Sequence, residues 1–118
     1  MTLTHIIHDW ALRCFGREHV QNRAVRILRL VEEAVELAQA AGIPRKKIAR
    51  LVEIVYERPP GNIIQEIAGV LMTVNVLCGT LGLDPDDILL AEVRRVLGKP
   101  PSHFAQRNAE KVAQGLDA

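Results

Sequence analysis

An all-α fold, a helical bundle of four to five helices with a C-terminal helical arm, is what this 118-residue sequence predicts, on two observations. Apolar residues make up 48% of the chain, yet the aromatics are only two Phe, one Trp and one Tyr, so Leu, Ile, Val and Ala must fill the core. That composition leans helical. Apolar positions also recur at about 100° per residue, most plainly at Ile27, Leu28, Val31, Ala34, Val35 and Ala38.

Taken in order, Thr4 can cap a first helix over about 5–15, with Gly16 ending it. A second starts near Val20, and over 24–41 its apolar stripe is the longest of the chain before Gly42 and Pro44 stop it. Ile48, Leu51, Val52 and Val55 mark a third helix over 45–56, and Arg58, Pro59, Pro60, Gly61 and Asn62 form a turn. Residues 63–79 are apolar almost all the way round, which predicts a central helix packed on several sides. Gly79, Gly82, Asp84 and Pro85 make the next break, and Ile88, Leu89, Val93, Val96 and Leu97 supply a fifth amphipathic helix. After Lys99, Pro100 and Pro101, Ser102 can cap a last polar helix reaching about Gln114. The expected organisation is a bundle over 1–98 with 99–118 as a basic arm of the same domain, removable without unfolding the bundle because few apolar groups lie beyond Phe104.

Fifteen basic against 14 acidic residues create no field that argues for a nucleic-acid polymer or a membrane as partner. Cys14 and Cys78 lack CxxC spacing and read as reduced core thiols. The first ten residues, with two histidines and an aspartate, lack the pattern of a signal peptide, and no run of 18 uncharged apolar residues occurs. A cytoplasmic location is expected. The apolar faces of the first, fourth and fifth expected helices exceed what one small bundle needs, which predicts a homodimer or homotetramer.

Chemistry is concentrated in two places. Glu32, Glu33 and Glu36 share one face of the long helix, because positions one, three and four apart converge at 3.6 residues per turn. By itself that face reads first as a solvated stripe, paired one turn back with Arg26 and Arg29. Glu66 is the only charged residue between Ile63 and Cys78, and a carboxylate buried in such a helix needs a partner. An arginine such as Arg23, Arg26 or Arg29 is one solution, and a hard cation such as Mg²⁺ or Mn²⁺ shared with the other glutamates is the other.

The run Glu32-Glu33-Ala34-Val35-Glu36 followed by Glu66 on a later helix resembles the EExxE and ExxD pair of the MazG-like all-α nucleoside triphosphate pyrophosphohydrolases, over roughly residues 5–98. The resemblance implies a MazG-like fold and hydrolysis of an NTP or dNTP to a monophosphate and pyrophosphate, with Mg²⁺ held by Glu32, Glu33, Glu36 and Glu66. Glu33, at the edge of the acidic arc away from the apolar stripe, is the expected general base. The second motif departs from the family, since Gly69 stands where the family has aspartate. Water can fill the missing place, Asp9 or another acid can substitute, or nucleotide binds without turnover.

Trp10 is a candidate platform for a base, although a tryptophan is more often a core anchor. Lys99, Arg107, Asn108 and Lys111 are candidates for the phosphates, with Arg107 and Lys111 four apart on one helix face. His5, His8 and Asp9 have helical spacing compatible with a metal but read as polar surface, and Arg45, Lys46 and Lys47 as a solvated run. The chain has no P-loop and no nucleophilic serine or cysteine constellation. The rival from another class is a non-catalytic helical module for nucleotide binding or protein interaction, in which the acidic face is ordinary surface.

Overall fold

A computed structural model describes residues 2–116 and is all-helical, with seven helices and no strand among the described residues. They are α1 (Leu3–Phe15), α2 (Arg17–Gln21), α3 (Arg23–Ala40), α4 (Arg45–Tyr56), α5 (Ile63–Leu81), α6 (Pro85–Leu97) and α7 (Pro101–Ala113). Local chemistry sets the ends. Thr2, two residues earlier than expected, caps α1 by accepting from the His5 amide. Asn22 accepts from the Val25 amide at 3.3 Å, which splits off α2 as a separate turn and fixes the start of α3. Asn62 receives the Ile64 and Gln65 amides at the start of α5, and Gly82 ends it at φ 70°, where a side chain is disfavoured. Pro101 occupies the first position of α7, where its missing N–H costs nothing.

The chain divides into two compact units, one of residues 1–44 with 96–118 and the other of residues 45–95. In the first, α1 packs against α7 and α2, and α2 against α3. Three of the four aromatics meet there: the Trp10 ring stands edge-on to Phe15 at 5.8 Å and to Phe104 at 5.1 Å between centroids. Val25 is fully enclosed, and Cys14 and Val20 are buried. Within the expected arm, α7 packs on α1. α7 belongs to the same unit as α1, because Phe104 completes the aromatic cluster and Arg29 donates to the Leu116 carbonyl and to Asn108 Oδ1.

Both cysteines are free and buried. Burial pushes the Cys14 thiol above its ordinary pKa, against the opposing effect of Arg13. The thiolate is the reactive form. Alkylation of Cys14 at pH 8 is thus expected to be slow in the folded protein and fast in denaturant, read by mass spectrometry of the Cys14 peptide. Labelling at equal rates in both states would mean that the site is open. Because the folded pKa is the higher one, this thiol's contribution to stability is present at neutral pH and is lost as pH rises through that pKa.

In the second unit only Cys78 and Val93 are buried among the described residues. The central, enclosed helix expected over 63–79 is instead exposed along nearly its whole length in the single chain, with only 6% of its 18-residue apolar window buried. Apolar periodicity states that a helix needs cover, and the second unit of one chain does not supply it. By length and composition α5 is also apolar enough to cross a membrane.

Candidate metal centre

The acidic run lies in the second half of α3, where residues 32, 33 and 36 share one side of the helix. Glu33 and Glu36 are exposed, whereas Glu32 is half-buried. The arginines expected to neutralise them are engaged elsewhere. Arg26 lies over the Phe15 ring, 5.2 Å from its centroid, and its Nε and Nη2 are buried without an acceptor among the described residues. Burial, and then the neighbouring Arg29, lower its pKa from the usual arginine value. Arg29 is tied to α7 through Asn108 and Leu116.

Glu32 has a different cation. Lys111 Nζ on α7 lies 3.0 Å from Glu32 Oε1, with both side chains a little over one-fifth exposed. The two charges are in direct contact, so the carboxylate has a cation beside it. The residue expected to hold phosphate is thus paired with a residue expected to hold metal. Asn108 is also engaged, its Oδ1 lying 3.0 Å from Arg29 Nη2 and 3.1 Å from His19 Nε2. Lys99 and Arg107 are exposed. Trp10 is half-buried as the packing joint between α1 and α7, its Nε1 enclosed without a partner among the described residues.

Glu66 lies in the first turn of α5, in the second unit, and is exposed. Its Oε1 would sit 3.2 Å from a Cβ added to Gly61. The buried glutamate in need of an arginine is therefore replaced by an open one, with no cation within 4 Å among the described residues. A helix N-terminus favours a negative charge, which gives Glu66 a structural role without any partner. A side chain at position 69 would meet nothing within 4 Å, so Gly69 is not required by packing in this chain. Asp9, the possible substitute acid, pairs with Arg13 at 3.3 Å, and His5 Nδ1 contacts Thr2 Oγ1 at 3.0 Å. Among the described residues no three His, Cys, Asp or Glu side chains are grouped closely enough to hold a metal ion. No family model, curated protein or solved structure matches the chain.

Proposed function

We propose that this protein is a Mg²⁺-dependent nucleoside triphosphate pyrophosphohydrolase, with Mn²⁺ as an alternative ion. The observation that carries the reading is the state of α3. Glu33 and Glu36 share an exposed helix face with no protein cation within 4 Å among the described residues, while the nearby arginines are committed to Phe15 and α7. Uncompensated adjacent carboxylates attract a hard cation, and an all-oxygen donor set fits Mg²⁺ better than it fits zinc. Glu32 and Glu36 would hold the ion, which when bound would neutralise phosphate oxygens.

The protein's own part is positioning and proton transfer. Glu33 is exposed and can take a proton from water as the water attacks the triphosphate in line. The bridge between the α and β phosphorus atoms breaks, leaving a monophosphate and pyrophosphate. For Lys111 to reach a phosphate it must first leave Glu32, and a cation arriving at Glu32 would favour that exchange. A second reading, the non-catalytic module, is favoured by the same ion pair, because Lys111 already neutralises Glu32 and ties α7 to α3.

Two measurements separate the readings. Millimolar Mg²⁺ or Mn²⁺ should raise the melting temperature, as any ligand of the folded state must, and a panel of NTPs and dNTPs should release pyrophosphate with one of the metals. No shift and no release, with or without nucleotide, would leave only the module. Substitutions then ask whether α5 takes part. Glu66→Gln should cost little stability, since the carboxylate is exposed and loses only its favourable place at a helix start, but should remove metal stabilisation if Glu66 is a ligand. Gly69→Asp places an acid one turn further along the same helix in open space, and should tighten Mg²⁺ binding. Unchanged metal titrations in both variants would remove α5 from the site.

A further inference from the structure

One side of α7 faces the acidic side of α3. Phe104, Asn108 and Lys111 fall on that side at helical spacing, and all three are half-buried while the neighbouring Arg107 is exposed. Arg29 and Glu32 share a side of α3 in the same way, and the two helices meet in register. Arg29 Nη2 donates to Asn108 Oδ1 at 3.0 Å, and Lys111 Nζ lies 3.0 Å from Glu32 Oε1. Phe104 holds α7 in that position, its ring 5.1 Å from the Trp10 ring between centroids. The lysine is thereby fixed in front of one carboxylate of the three. Glu32 Oε1 is enclosed, whereas Glu33 and Glu36 are open to solvent. An ammonium and a divalent ion compete for the same carboxylate lone pairs, so a hydrated Mg²⁺ reaches that oxygen only when the lysine has left it.

We infer that Lys111 is a tethered competitor of the metal: docked α7 holds its ammonium on Glu32 and sets the affinity of the acidic face below what the carboxylates alone would give. This rests on the Mg²⁺ reading above and deepens it, by naming what the ion must displace. Two observations favour a competitor over a tie that only holds the fold. α7 is anchored without the pair, through Phe104 and through Arg29 to Asn108 and Leu116. The pair is also exchangeable, because both side chains are a little over one-fifth exposed, short of the full enclosure at which separating two charges becomes prohibitive. Coupling then runs both ways. Metal at Glu32 frees Lys111, and any acceptor offered to Lys111, such as a phosphate oxygen, opens Glu32. The ion and an anionic ligand thus assist one another through a single side chain of α7.

Mn²⁺ titrations of the full chain, followed by the spin-resonance signal of the free ion, read this without any hydrolysis. Lys111→Met keeps most of the apolar stem and removes the charge, and should tighten Mn²⁺ binding by about 5- to 10-fold, the low end of ordinary coupling between sites. Lys111→Arg keeps a cation at Glu32 and should bind no more tightly than the parent. Arg107→Met controls for charge alone, since it takes one positive charge from an exposed position on the same helix, and should shift affinity by less than about 2-fold. A Lys111→Met protein that binds like the parent overturns the inference, as does an Arg107→Met effect of equal size. Mn²⁺ bound equally by all four proteins removes the competitor and leaves the metal reading standing, whereas no Mn²⁺ bound by any of them removes both. Should Lys111→Met fail to fold, the parent decides. Saturating Mn²⁺ should speed acetylation of Lys111 by acetic anhydride about 3-fold or more, read by mass spectrometry against the exposed Lys46, and an unchanged rate overturns the inference.

Discussion

Replacing Glu33 with glutamine is expected to lower metal-dependent pyrophosphate release by between about 10² and 10⁴-fold, the usual contribution of a positioned general base. Stability should not fall. Glu33 is exposed, no cation lies within 4 Å of it among the described residues, and removing one of three neighbouring charges relieves repulsion along α3. The pairing of the two results is the test: pyrophosphate release and a thermal melt are measured on the same sample. A variant that keeps its activity takes Glu33 out of the base role. A variant that loses activity together with several degrees of melting temperature would show that the side chain holds the fold, and the catalytic assignment would fail.

The second large effect is structural. Phe104→Ala is expected to destabilise the first unit by about 2–4 kcal/mol, somewhat below the full cost of truncating a buried phenylalanine because this ring is only half enclosed. The loss has two sources, the edge-on contact with Trp10 and the cavity left between α1 and α7. Denaturant unfolding followed by Trp10 fluorescence reads it directly, since Trp10 is the only tryptophan. Deleting 99–118 should be worse still, because it also removes Asn108 and Leu116, the acceptors of Arg29, and Lys111, the partner of Glu32. A truncated chain as stable as the whole would contradict the packing of α7 on α1.

Fold class was legible because helix signals are local. The third expected helix has the observed bounds, Arg45–Tyr56, and the glycine and proline punctuation at 42–44, 58–62 and 82–85 lies where helices stop. Asn22 is a cap residue by type, and it starts α3 three residues after the helix start expected near Val20, with residues 17–21 forming a separate short helix. What could not be read was cover. A helix apolar all round, as over 63–79, states that its surface must be buried, but the pattern is the same whether the neighbour is another helix of the chain, a copy or lipid. The polar look of residues 101–114 hid the opposite case, where one aromatic and a few polar contacts dock a helix that has little apolar stripe.

The candidate site was legible at the level of residue types and less so at the level of partners. Three glutamates on one face of α3 follow from spacing alone. That Lys111 is the cation beside Glu32 does not, since 79 residues separate them and only the docking of α7 brings them together. Glu66 was expected to be buried for the same reason that α5 was expected to be central, and both expectations were revised by one fact, the openness of the second unit.

Asn108 carries a consequence for proton placement. Arg29 can only donate, so the amide oxygen of Asn108 must face it, and that same oxygen lies 3.1 Å from His19 Nε2. An oxygen cannot donate, so the hydrogen of that contact must sit on Nε2, which fixes the neutral imidazole in a single tautomer with its lone pair on Nδ1. Both lone pairs of the amide oxygen are then used. Only the amide nitrogen of Asn108 is left to meet a ligand, and it can do so solely as a donor, to an acceptor such as a phosphate oxygen or a base carbonyl.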